Sequence, residues 1–261
     1  MLFIACLLAI IVGVILALIG SGGSILTVPI LVYIVDINPV SATAHSLFIV
    51  GVSSLVGAQR FFNSCYINYK VILNFAIPSL IGVFICRKWI IQFIPESIDF
   101  FQFFTIQKDA LILVLFAILM LLASFSILFS WKTRFKKKHT KNSLIIILID
   151  GFILGLITGF VGAGGGFLII PVLLYLTNLS MKEAVRASLF IISIKSILGF
   201  TAELNNSINW PLLLLFTIFS VLGILIGSYF IKFVNGAFLK KLFGIFILFM
   251  SMAILIKEIF I

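Results

Sequence analysis

GVILALIGSGGSILTVPILVY (13–33) and GLITGFVGAGGGFLIIPVLLY (155–175) are two versions of one pattern. At an offset of 142 (171 minus 29), Gly13 meets Gly155, Gly20 meets Gly162, Gly22 and Gly23 meet Gly164 and Gly165, Pro29 meets Pro171, and Tyr33 meets Tyr175. The same offset continues without a gap into ATAHSLFI (42–49) against AVRASLFI (184–191), and on to Gly57 against Gly199. At 141, INY (67–69) meets INW (208–210) and Gly82 meets Gly223. Self-similarity sustained over such a span marks an internal duplication.

The rest of the chain says what is duplicated. Hydrophobic residues make up 63% of it and charged residues 10%, against about 45–50% apolar and roughly 25% charged in soluble domains, so a water-soluble globule is excluded. Apolar stretches fall at 2–35, 41–62, 69–86, 109–131, 144–176, 183–201, 209–231 and 238–256. A bilayer core takes about 20 helical residues to cross, and runs such as ALILVLFAILMLLASF (110–125) lack the alternation of a membrane β-barrel. The expectation is an all-α membrane protein of about eight transmembrane segments, arranged as two homologous four-segment repeats. The first repeat is 1–131, the second 144–261, and WKTRFKKKHTKN (131–142) supplies a basic hinge at 132–143. The first run continues well past residue 19 with no basic start, and reads as a retained span rather than a cleaved signal. Cys6, Cys65 and Cys86 have no metal-ligand or redox spacing and read as small core residues.

As one straight rod, 2–35 would reach about 50 Å, too long for the hydrocarbon core. GSGGS (20–24) and GAGGG (162–166) are where it should break, because glycine is the poorest helix former after proline, and a proline follows in both copies. If the first stretch of each copy enters, breaks and leaves on its entry side, thirteen basic residues lie inside: Arg60, Lys70, six in the hinge, Lys182, Arg186, Lys232, Lys240 and Lys241. Four lie outside, Arg87, Lys88, Lys108 and Lys257, whereas eight full crossings give no bias. The positive-inside rule therefore favours broken first segments, a cytoplasmic hinge, both termini outside, and copies inverted relative to each other. The net charge of +10 reports this topology, and nucleic acid is not an expected partner.

The paired motifs, GSGGSILTVPILVY with ATAHSLFIVGVSSLVGA and GAGGGFLIIPVLLY with AVRASLFIISIKSILGF, resemble the TauE/SafE family of sulfite exporters and related anion permeases. The resemblance implies a transporter of small inorganic sulfur-containing anions or organosulfonates, integral to the bacterial cytoplasmic (inner) membrane. The chain departs from the family pattern at Ser24, in the place of a third glycine, and Lys195 matches no family signature.

The residues themselves point the same way. Broken backbone at membrane depth is tolerated only where protein or a cavity satisfies it, and amides freed at a half-helix N-terminus suit an anion. The expected substrate-binding residues are thus Gly20, Ser21, Gly22, Gly23 and Ser24 with Gly162, Gly164, Gly165 and Gly166, set against a pure packing role. Gly155 with Gly159 and Gly223 with Gly227 have the spacing of helix-packing pairs. Ser46 and Ser188 read as a pore-facing hydroxyl pair or as back-bonded to the preceding turn. Lys195, deep in its segment opposite Ser53 of the first copy, serves ion binding or gating, or snorkels toward Thr201. His45 is a site for proton coupling, and Asp36, Asp150 and Glu203 read as solvated segment ends. No catalytic motif emerges, and no cofactor or metal site is expected. The chain carries no P-loop, so the mechanism expected is secondary, with a coupling proton or other ion and alternating access around the facing breaks; an anion channel is the rival. A homo-oligomer is compatible with all of this.

Overall fold

The computed structural model describes residues 2–19, 22–61, 69–100, 104–128, 143–162, 165–176, 181–204, 208–230 and 234–260. Ten helices carry the described chain. In the first half they are α1 (Leu2–Ile19), α2 (Gly22–Tyr33), α3 (Pro39–Phe61), α4 (Tyr69–Ile85) and α5 (Lys108–Leu128). The second half holds α6 (Ser143–Val161), α7 (Gly166–Leu176), α8 (Met181–Thr201), α9 (Trp210–Phe230) and α10 (Gly236–Phe260). Helix α4 runs on through a π-helical turn, Cys86–Ile90, and a short α-helical turn, Ile91–Phe93.

Five described stretches are long and apolar enough to cross a bilayer: Pro39–Gln59, Leu73–Phe93, Lys108–Phe125, Glu183–Thr201 and Trp210–Phe230. Ile4–Ile19 and Ile147–Val161 are shorter apolar helices that stop at the two glycine clusters. Long apolar runs fold as helices here because every backbone group must find its partner within the segment. One element departs from the all-α expectation. Between α4 and α5, β1 (Ser97–Phe100) and β2 (Phe104–Gln107) form an antiparallel hairpin in register Ser97 with Gln107. The segment Arg87–Lys108, between the third and fourth apolar stretches, is therefore a helix end followed by a hairpin. The basic hinge lies outside the described residues, apart from Ser143 at its end.

Glycines set the helix contacts. The position a side chain would take at Gly13 falls on the backbone of Ser220 and Ile224, that at Gly223 on Ile10, and that at Gly227 on Val14 and Ala17. The numbers rise together, so α1 and α9 run parallel. Gly151 meets Phe75, Gly155 meets Ser79, and Gly159 meets Val83 and Cys86, so α4 and α6 are parallel as well. Both expected packing pairs, Gly155 with Gly159 and Gly223 with Gly227, thus bring backbones into contact, where dispersion rather than hydrophobicity drives association. Helices α3 and α8 run antiparallel: Leu47 faces Gly199, Gly51 faces Ser196 and Ile197, and Gly57 faces Leu189.

One end of the bundle gathers the polar contacts. Asn38, before α3, donates to Asp109 at the start of α5 at 2.7 Å, and Tyr33, ending α2, donates to Glu258 near the end of α10 at 2.8 Å. Lys257 lies 3.8 Å from the Tyr33 ring centre, and Phe48, Phe200 and Trp210 stack edge-on or tilted, with centres 5.0 to 6.3 Å apart. The N-terminal part of α1 belongs to this end too. Ala5, Ala9 and Val12 share a buried cluster with Leu26, Ile30 and Leu31 of α2, bordered by Ile34, Val35 and Ile37. Helix α2 therefore folds back along α1 instead of continuing it.

Candidate functional site

The glycine break of the second half has distinctive geometry. Helix α6 ends at Val161, Gly162 and Gly165 both adopt positive φ (70° and 60°), and Gly166 opens α7. That left-handed backbone costs glycine little and an L residue about 1–2 kcal/mol. Neither position has room for a side chain: one at Gly162 would strike Thr43 and the Arg87 Nη2, and one at Gly165 would strike Thr158. The Gly162 N–H is taken by the Thr158 carbonyl at 3.0 Å, so it is not a free amide for a ligand. Buried Ile19 at the end of α1 and Val161 at the end of α6 belong to one apolar cluster.

Lys195 lies beside this break. It is buried, and its Nζ donates to Thr158 Oγ1 at 3.0 Å, while that hydroxyl donates to the Gly155 carbonyl at 3.2 Å. The snorkelling alternative toward Thr201 is not what the side chain does. It points across to α6, one helix turn before the glycines.

Above the break a cavity of about 800 Å³ opens at the polar end of the bundle. His45 lines its wall and Arg87 and Glu203 line it deep in the bundle, while Glu96, Lys108 and Asp109 come from the hairpin side. Arg87 Nη1 and Glu203 Oε1 form an ion pair at 3.3 Å, with side chains 0% and 3% exposed. Lys108 is already engaged: its Nζ donates to the carbonyls of Ile91 at 2.5 Å and Ile94 at 3.2 Å, closing the end of α4. His45 Nδ1 lies 2.7 Å from the Ser41 carbonyl, to which it donates, and its Nε2 is buried with no partner among the described residues.

A family profile described as "Sulfite exporter TauE/SafE" matches residues 5–254. The chain belongs to the TauE/SafE family. Among known proteins, this TauE/SafE chain is 25% identical over 244 residues to one from Xylella fastidiosa (strain Temecula1), covering 91% of this chain and 88% of that one. It is 28% identical over 200 residues to one from Methanocaldococcus jannaschii (75% and 69% covered). A third, YunE of Bacillus subtilis, is 26% identical over 236 residues (79% and 80%), and all three are named "Probable membrane transporter protein". No solved structure matches the chain. The TauE/SafE protein is a membrane transporter, integral and multi-pass.

The expected site residues of this TauE/SafE protein fall unevenly. Gly162, Gly165, Gly166 and Lys195 come together at the second break. Gly20, Ser21 and Gly164 lie outside the described residues, and Gly22, Gly23 and Ser24 form the first turn of α2. Ser46 and Ser188 are not a pair. They sit at opposite ends of the antiparallel α3–α8 contact, whose marker residues Leu47 and Gly57 are about 15 Å apart along α3. Ser188 back-bonds to the Val185 carbonyl at 2.8 Å, and Ser46 Oγ is buried with no partner among the described residues. Sequence reasoning missed Arg87 with Glu203. Each closes an apolar run and reads as a solvated flank, yet folding buries both against each other.

Proposed function

We propose that the protein is a secondary permease for a small sulfur-containing anion, sulfite or a sulfonate, working by alternating access around its two glycine breaks. The observation that carries this reading is the cavity itself. It is lined by Asn38, His45, Arg87, Glu203 and the feet of the hairpin, and Arg87 in turn lies against the Gly162 break. A pocket that reaches the buried Arg87–Glu203 pair offers a small anion a guanidinium, and a polar cavity at one end of the bundle suits one state of an alternating cycle.

The two-copy, inverted architecture of four segments each belongs to the same proposal. Its support is that equivalent contacts recur: Gly13 meets Ser220 as Gly155 meets Ser79, and Gly223 meets Ile10 as Gly82 meets Phe152. The equivalent helices α3 and α8 run antiparallel. On this reading the cavity end faces outward, and a reporter fused after Ile261 is active only on the outer side; cytoplasmic activity removes the inverted arrangement.

The transport reading is tested by uptake of labelled sulfite, sulfate, thiosulfate and taurine into proteoliposomes, with and without a proton gradient. Saturable uptake with counterflow is the expected result. Large unitary currents with no saturation would instead make the protein an anion channel.

A further inference from the structure

A guanidinium sealed from solvent normally spends all its N–H groups on partners, because each donor left idle in a low-dielectric interior is costly. Arg87 does not. It is 0% exposed and, among the described residues, gives only Nη1 to Glu203 and leaves Nε and Nη2 without a partner. These two idle donors form the side-on edge of the planar group, whose parallel N–H vectors match two oxygens held on one atom. The edge lies where Gly162 has no side chain, so the guanidinium rests against the bare backbone of the break. The other donors around the cavity are less suited: Lys108 is committed to helix carbonyls, and His45 has its Nδ1 engaged at the Ser41 carbonyl.

We propose that the Nε–Nη2 edge of Arg87 is the seat of the transported anion at this end of the molecule, and that it selects anions presenting two terminal oxygens over halide ions. Glu203 is the built-in competitor. Its carboxylate holds the guanidinium in place when no anion is bound and yields part of that charge when one arrives. This inference rests on the anion-permease reading and adds to it the residue that sets specificity.

The test uses the full-length protein in proteoliposomes, with labelled sulfite as the probe and methanesulfonate and chloride as competitors at equal ionic strength. In the wild type, methanesulfonate should compete at least about tenfold more effectively than chloride, as bidentate recognition requires. Arg87→Lys keeps the charge and loses the fork; it should raise the half-saturation concentration for sulfite at least about tenfold and bring the two competitors to within about threefold of each other. Glu203→Gln removes the competitor, and should lower the half-saturation concentration. Because Arg87→Lys is able to impair folding, melting of the detergent-solubilised wild type is measured as well. Sulfite and methanesulfonate should raise its melting temperature and chloride should not. Wild-type uptake without discrimination between the competitors, a chloride shift equal to that of sulfite, or unchanged half-saturation and selectivity in Arg87→Lys would overturn the assignment while leaving an anion permease standing. A wild type that neither binds nor moves any of these anions removes both.

Discussion

Two trios of helices in this molecule are packed alike and charged differently. In one, α1 lies along α9 and both meet α3; in the other, α6 lies along α4, α4 meets α8, and Lys195 of α8 reaches Thr158 of α6. The first trio is held at its centre by a neutral contact, Ser53 Oγ donating to Ser220 Oγ at 3.0 Å. In the second, Lys195 stands where Ser53 would be, 142 residues on, and Arg87 pairs with Glu203 just above it. The glycine contacts are matched residue for residue, so packing accounts for the shape of both trios. It does not account for the buried ammonium of Lys195 and the buried guanidinium of Arg87 in the second. Ionisable groups at membrane depth cost several kcal/mol unless something uses them, so the permease reading proposed above takes the second trio as its working side and the first as its scaffold.

The comparison can be broken most directly at the shared packing. Gly155→Leu and Gly13→Leu should each abolish recovery of folded protein, because the new side chain lands on the backbone of Ser79 or Ser220. Size-exclusion profiles of the solubilised variants check this, and tolerance of one substitution but not the other would end the equivalence of the trios. Next in size is the charge. Lys195→Met should leave the fold intact, since a methionine fills the same space, and reduce initial uptake about a hundredfold, while Ser53→Ala should change uptake less than about threefold. Equal effects would make Lys195 a packing residue. A smaller change is expected from Gly165→Ala, which meets both an unfavourable φ and the Thr158 side chain that anchors Lys195; uptake should fall about tenfold with thermal stability lowered by about 1–2 kcal/mol. The smallest is Ser220→Ala, which leaves the buried Ser53 hydroxyl to find a backbone acceptor and should cost about 1 kcal/mol of stability with transport unchanged.

Much of this was legible in the sequence. The second break falls where glycine density predicts, since α6 stops at Val161 and α7 starts at Gly166, with Gly162 and Gly165 at positive φ between them; the residues between α1 and α2, Gly20 and Ser21, lie outside the described ones. Composition dictates helices, and glycine spacing dictates which faces touch. The floor of the cavity was not legible, for a physical reason. Arg87 and Glu203 are 116 residues apart, and each follows an apolar run, where a charge reads as an ordinary solvated end. The π-helical turn beginning at Cys86 also breaks the 3.6-residue period, so periodicity no longer says which face Arg87 takes. The Ser46 and Ser188 pairing failed because equivalent positions in antiparallel helices are displaced along the axis unless they lie at the crossing point.

The clasp at the base of the hairpin has one more consequence. Lys108 fastens the start of α5 to the last carbonyls of α4, and its backbone N–H also meets the Glu96 carbonyl at 2.9 Å, so both feet of the hairpin are pinned to the same spot. A rim riveted in that way cannot swing over the opening like a shutter. On the permease reading proposed above, closing the vestibule falls to the rods themselves, leaning as whole bodies where α3 packs on α8 at Gly51.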